Sequence, residues 1–134
     1  MRTVKQIMTT QFPHVFASME LTQALDAMNS YGVFGTPVID QEGYLIGFIS
    51  EQQMLKPLLD NSYFCNGQLA VGDLMSTEPL SVSPEMNVVD LAQLMDGNKP
   101  KIYPVVEHGK VIGLVTRGRV IQALKQDYLS CSCH

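Results

Sequence analysis

No stretch of about 18 consecutive apolar residues occurs in the 134-residue sequence, so no transmembrane helix is expected. The first residues, Met1 to Gln6, carry Arg2 and Lys5 but no apolar run, which argues against a secretory signal. Cysteines number only three, two of them crowded at the C-terminus, and do not make a disulfide framework. Reduced thiols in a cytoplasmic protein with no membrane partner are therefore expected. Charged residues are only 16% and the net charge is −4, which favours neither a disordered acidic segment nor a nucleic-acid binder. Catalytic patterns are missing as well. There is no G-x-x-x-x-G-K-[ST] loop, no H-E-x-x-H helix, no Ser/His/Asp order and no paired carboxylates, and three scattered histidines offer no evident base. A non-enzyme with no required cofactor is the expectation.

Acids are scarce in one place. Between Gly97 and Lys125 lie six of the nine cations (Lys99, Lys101, Lys110, Arg117, Arg119, Lys125) and one of the thirteen acids, Glu107, so the second half carries a local positive field. The 46% apolar content is enough for one compact domain with one core.

The sequence repeats itself. A shift of 67 positions aligns Val4 with Val71, Met8 with Met75, Val15 with Val82, Leu21 with Val88, Met28 with Met95 and Pro37-Val38 with Pro104-Val105. After a one-residue gap the shift becomes 66 and aligns Gly47 with Gly113, Ser50 with Thr116, Leu55 with Ile121 and Leu58 with Leu124. The gap falls where Asp40 to Tyr44 faces Glu107 to Lys110, which reads as a hairpin turn of variable length. A unit of this kind buries its apolar face against a copy.

Leu21, Ala24, Leu25 and Met28, like Val88, Leu91, Ala92 and Met95, follow the i, i+3, i+4, i+7 spacing of an amphipathic helix. Strands are expected at 36–40 and 44–50, and again at 103–107 and 110–116. A second helix follows each hairpin, with apolar faces Met54, Leu55, Leu58 and Val120, Ile121, Leu124. Pro57 should kink or end the first of these. The expected organisation is a first repeat at 1–60, a linker at 61–70, a second repeat at 71–127 and a tail at 128–134. The methionines at helical spacing read as core filler.

Gly35-Thr36-Pro37-Val38-Ile39-Asp40 with Leu45-Ile46-Gly47-Phe48-Ile49-Ser50, and Ile102-Tyr103-Pro104-Val105-Val106-Glu107 with Val111-Ile112-Gly113-Leu114-Val115-Thr116, resemble the two signature segments of the cystathionine-beta-synthase (CBS) domain. The openings Val4-Lys5-Gln6-Ile7-Met8-Thr9 and Val71-Gly72-Asp73-Leu74-Met75-Ser76 resemble the family's entry. The resemblance implies an α/β (α+β) fold of two pseudo-twofold related β-α-β-β-α repeats packed sheet to sheet, a stand-alone Bateman-type module. It also implies a regulatory role, a homodimer, an unidentified regulated protein, and clefts that take adenosine nucleotides (AMP, ADP or ATP) or related anions. A ligand-independent scaffold with degenerate clefts is the alternative.

In the resembled family a Ser or Thr and an Asp three residues later hold a ribose, at the start of a helix whose N-terminus suits phosphate. Here Ser50 and Thr116 are kept, but Gln53 and Arg119 replace the Asp, and an arginine has no acceptor for a ribose hydroxyl. The hydroxyls also suit helix capping, with Ser50-Glu51-Gln52-Gln53 a capping box. The expected ligand residues are His14, Val15, Thr36, Pro37, Lys101, Tyr103, Pro104, Thr116, Arg117 and Arg119, with Ser50, Gln53 and Val82 in a weaker second cleft. Gly47 and Gly113 would allow close backbone approach. Tyr31 and Tyr44 read as core or rim aromatics. Cys131-Ser132-Cys133-His134 supplies at most three metal ligands, with Cys65 remote in sequence, so no metal is expected.

Overall fold

The computed structural model describes residues 2–64 and 67–131. In chain order the elements are α1 (Val4–Ile7), α2 (Leu21–Tyr31), β1 (Gly35–Ile39), β2 (Leu45–Ser50), α3 (Glu51–Phe64), α4 (Val71–Leu74), α5 (Val88–Met95), β3 (Ile102–Glu107), β4 (Lys110–Thr116) and α6 (Arg117–Cys131). The strands form two two-stranded sheets, β1-β2 and β3-β4. The expected first strand of each repeat is reduced to one bridging residue: Val15 lies parallel to Val38, and Val82 to Val105.

The amphipathic helices form where the apolar period places them. The Glu20 carboxylate accepts the Thr22 N–H at 2.9 Å to cap α2, and Gly32, at φ 68°, ends it in the left-handed conformation that glycine tolerates best. Asn87 accepts the Asp90 N–H at 2.8 Å to cap α5. Leu21, Met28, Val88 and Met95 are all buried, as their spacing requires. The turn between β3 and β4 has two residues, His108 at φ 55° and Gly109 at φ 82°, the pair of left-handed residues that matches strand twist. The longer β1-β2 turn is held instead by Asp40, whose Oδ1 accepts from Glu42 N and Tyr44 N, both at 2.9 Å.

The chain divides into two compact units that do not follow the sequence repeats. One, the α6 unit, comprises the described residues of Met1–Thr10, Leu80–His108 and Ile112–His134; the other, the α3 unit, comprises those of Gln11–Pro79 and Gly109–Val111. Each unit thus takes its entry helix from the opposite repeat, α1 in the α6 unit and α4 in the α3 unit. Thr9 pairs with Leu114 through two backbone hydrogen bonds of 2.8 and 2.9 Å, and Ser76 pairs with Phe48 through two of 2.8 and 3.0 Å. Gly113 and Gly47 make this possible, because a Cβ on either would lie 2.7 Å from the Thr9 or Ser76 carbonyl oxygen.

The single core expected from composition is replaced by two clusters. In the α6 unit Val4, Val88, Leu91, Tyr103, Val105, Val115 and Val120 pack together; in the α3 unit Val15, Leu21, Met28, Val38, Ile49, Met54 and Val71 do so. Each layer of helix on a two-stranded sheet closes its own apolar interior once the opposite entry helix is added. Met28, Met54 and Met95 are buried in these clusters, the filler role expected of them.

The second helices differ from expectation in two ways. Pro57 does not end α3, which continues to Phe64, so 61–64 are helical rather than linker. One lost hydrogen bond is tolerated where turns on both sides persist. The expected apolar faces are only partly buried: Met54 and Val120 are interior, while Leu55 (71% exposed) and Ile121 (53%) face outward at equivalent positions.

Candidate functional site

β4 ends at Thr116, where the chain turns into α6. The Thr116 Oγ1 accepts the Arg119 N–H at 3.3 Å, the N-cap bond its position predicts. The Arg117 N–H is taken by the Lys101 carbonyl at 2.9 Å, and in the other repeat the Glu51 N–H is taken by Phe34 in the same way, also at 2.9 Å. Of the first three α6 residues, all exposed, Arg117 and Arg119 therefore have their N–H groups bonded within the α6 unit.

The capping box expected at Ser50 is only half formed. Gln53 Oε1 accepts from Ser50 N at 2.8 Å, but the Ser50 hydroxyl donates to that same oxygen at 3.2 Å instead of receiving the Gln53 N–H. The Gln53 amide NH₂ is drawn elsewhere: Nε2 donates to Ser76 Oγ at 2.9 Å and to the Leu74 carbonyl at 3.4 Å. Arg119 behaves alike, donating from Nη1 to the Ile7 carbonyl at 3.1 Å. Ile7 and Leu74 are equivalent residues of the two entry helices. The two positions where the resembled family has an acceptor therefore hold donors, and each fastens the end of an entry helix.

Alongside Arg119 lies an open groove of about 870 Å³, lined by Arg2, Gln6, Ile7, Thr116, Gly118, Arg119, Gln122, Ala123 and Gln126. All of these belong to the α6 unit. Arg2 donates from Nη1 to the Ala123 carbonyl at 3.1 Å, and its Nη2 stands 3.5 Å from Asp127 Oδ1. The groove thus carries two guanidinium groups, a setting that favours oxyanions. Lys101 and Arg117 are exposed and do not line it.

The other expected ligand residues divide between the units. His14, Val15, Thr36, Pro37, Ser50 and Gln53 lie in the α3 unit; Val82, Tyr103 and Pro104 lie in the α6 unit with Thr116 and Arg119. His14 is exposed, its ring 5.2 Å from that of Phe12, whereas Val15, Pro37, Val82 and Pro104 are buried. Thr36 and Tyr103, equivalent in the repeat register, are both buried, and the Oγ1 of one and the Oη of the other have no hydrogen-bond partner. Burial pushes the Tyr103 hydroxyl above the ordinary tyrosine range, since its anion would be poorly solvated there. Tyr31 and Tyr44 are rim residues, with the Lys110 ammonium 5.4 Å from the Tyr44 ring centre.

Among the described residues no group of three or more His, Cys, Asp or Glu could hold a metal ion. Cys131 is free and exposed, while Cys65, Ser132, Cys133 and His134 lie outside the described residues. No described helix is long and apolar enough to cross a membrane.

Sequence reasoning missed Arg2, Gln6, Gln122 and Gln126. The α6 residues had a readable signal, a polar stripe at 119, 122 and 126 around Ala123. Arg2 had none, since it meets Ala123 across 121 positions of chain.

The family model described as CBS domain matches residues 4–60 and 71–126. The chain is similar to the CBS domain-containing protein YhcV of Bacillus subtilis, with 31% identity over 118 residues, 88% of this chain and 82% of that protein. Among solved structures it is similar to CBSX2 of Arabidopsis thaliana in complex with AMP: TM-score 0.80, 34% identity, 96% of this chain and 99% of that one. The CBS domain pair of MJ0100, solved with 5′-methylthioadenosine and S-adenosyl-L-methionine, shares the fold at TM-score 0.80 and 19% identity, over 94% of this chain and 98% of that one.

Proposed function

Because this chain belongs to the CBS domain family, we propose that it is a non-catalytic regulatory module that binds an adenosine nucleotide or a related anionic small molecule. The observation that carries the reading is the Thr116-capped start of α6, which opens with Arg119 onto the groove that Arg2 also lines. The positive end of the α6 dipole and the two guanidinium groups that line the groove each favour an anion. The AMP held by CBSX2 supports the choice of nucleotide. The orphan hydroxyl of Tyr103 supports a contact from that residue in the α6 unit, which also holds Val82, Pro104, Lys101 and Arg117, and that of Thr36 supports one in the α3 unit, which also holds His14, Val15, Pro37, Ser50 and Gln53. Such a module acts on a regulated protein in the cytoplasm, without membrane or nucleic acid, and the outward-facing Leu55 and Ile121 favour a homodimer.

The test is thermal unfolding and calorimetry with AMP, ADP and ATP. A ligand at 100 times its Kd should add about 2.7 kcal/mol of stability. Absence of both heat and stabilisation with all three nucleotides would overturn the reading.

A second reading, a ligand-independent scaffold, is favoured by one observation: Gln53 and Arg119 both spend donors on main-chain carbonyls of the entry helices. The same nucleotide titration separates the two.

A further inference from the structure

The groove of the α6 unit has a built-in comparison at the equivalent place in the first repeat. On α6, Arg119, Gln122, Ala123 and Gln126 stand at i, i+3, i+4 and i+7 and so share one face. Across from that face, Arg2, Gln6 and Ile7 complete the lining, and Ala123, 4% exposed, is small enough to leave the space open. The repeat register replaces Arg2 by Leu69, Gln6 by Asp73, Arg119 by Gln53, Ala123 by Pro57 and Gln126 by Asp60. The first-repeat set therefore has one cation, Lys56, tied to Asp60 at 3.2 Å, against two carboxylates; the second has two arginines against one, Asp127.

Both guanidinium groups are fixed by the main chain. Arg119 is held at the Ile7 carbonyl and Arg2 at the Ala123 carbonyl, each at 3.1 Å. One bond uses one of five donors, so each fork stays oriented with donors to spare. Their charges are not treated alike. Arg119 makes no ion pair among the described residues, whereas Arg2 faces the Asp127 carboxylate at 3.5 Å, in a pair whose side chains are 35% and 57% exposed. An exposed pair of this kind is weak and exchangeable.

We infer that this groove is an oligophosphate site, in which Arg119 takes one phosphate group and Arg2 a second, with Asp127 occupying Arg2 until the ligand displaces it. The inference rests on the nucleotide-binding reading above and adds to it a preference for di- and triphosphates over monophosphates. A single phosphate engages one fork bidentately and leaves the Arg2–Asp127 pair intact, while a linked second phosphate reaches Arg2 without a further entropic cost of association. A nucleotide tail and a free inorganic chain offer the same chemistry, and the arms of the test separate them.

Calorimetry on the full chain with inorganic phosphate, pyrophosphate, AMP and ATP decides the matter. Pyrophosphate should bind at least about tenfold tighter than phosphate, and ATP than AMP. Tight ATP with weak pyrophosphate makes the nucleotide the source, and equal affinities make it the inorganic chain; either supports the site. Arg2→Gln keeps a donor for the Ala123 carbonyl and removes the charge, so the tenfold ratios should shrink to about twofold. Asp127→Asn, on the exposed side of α6, should tighten pyrophosphate by about threefold by freeing Arg2. Ratios that survive Arg2→Gln, or an Asp127→Asn variant that binds pyrophosphate no better, overturn the oligophosphate inference and leave the nucleotide reading standing. Nucleotide affinity that is untouched in Arg119→Ala overturns the assignment to this groove, whereas only an unsubstituted chain that binds no nucleotide overturns the nucleotide reading itself.

Discussion

The guanidinium of Arg119 grips the carbonyl of Ile7 at 3.1 Å, and 66 positions earlier Gln53 grips the carbonyl of Leu74 at 3.4 Å. Each repeat thereby anchors the entry helix of the other. Arg119→Ala and Gln53→Ala should each lower the unfolding free energy by about 0.5 to 1.5 kcal/mol, the ordinary net value of one hydrogen bond. Nucleotide or phosphate affinity should behave differently, falling at least about tenfold for Arg119→Ala and little for Gln53→Ala, because only the first removes a charge-assisted contact. Equal losses in calorimetry would place the anion outside the Arg119 groove.

Gly47 and Gly113 are the points where the borrowed entry segments touch the sheets. Alanine at either would bring its Cβ to 2.7 Å from a backbone oxygen, with methionine sulfur closer still at Gly47 (2.6 Å) and at 2.9 Å at Gly113. The segment must then move off the strand, at a cost of about 1 to 3 kcal/mol. Chemical denaturation of Gly47→Ala and Gly113→Ala should give losses in that range, whereas alanine at Gly118, whose Cβ would meet the Thr116 hydroxyl at an ordinary 3.9 Å, should be far milder.

The orphan hydroxyl of Tyr103 makes a prediction in pH. In the folded state burial raises its pKa, so between about pH 10 and the folded value the unfolded chain binds fewer protons than the native one. Stability is then full below pH 10 and falls as pH rises through that window. Tyr103→Phe should remove this alkaline component and, by deleting an unsatisfied buried group, leave the apo protein about as stable or up to roughly 1 to 3 kcal/mol more so. If Tyr103 serves a ligand, the same variant weakens nucleotide binding while stabilising the free protein, a pair of opposite signs that calorimetry and denaturation measure together.

Interleaving of repeats and units predicts a crossed pattern of damage. Val4 is buried in the core of the α6 unit and Val71 in that of the α3 unit. Hydrogen exchange on Val4→Ala should show lost protection at Val105 and Val115, and on Val71→Ala at Val38 and Ile49. Damage that follows the sequence repeats instead, with Val4→Ala loosening Val38, would contradict the division.

Sedimentation at tens of micromolar should give a dimer of the 14.8 kDa chain. Leu55→Glu together with Ile121→Glu should shift it toward monomer, because both side chains already face outward and a charge there has no folding penalty comparable to its cost at a buried contact. A monomer in the unsubstituted chain would remove the basis for the homodimer.

The sequence by itself determined the elements. Apolar residues at helical spacing placed α2 and α5, Pro-Val pairs and glycine-centred strands placed the two hairpins, and Thr116 announced the start of α6, because each of these depends on residues within a few positions of one another. It also announced the repeat, and with it the family. Tertiary structure alone decided which entry helix joins which sheet, that two cores replace one, and that Leu55 and Ile121 stay outside them. The same holds for the groove. Arg2 lies beside Ala123 and Asp127 only because Met1–Thr10 packs with the second repeat, and no local pattern records a contact between residues more than a hundred positions apart. Periodicity fixes which face of a helix seeks cover, but what covers it is chosen by the packing of the whole chain.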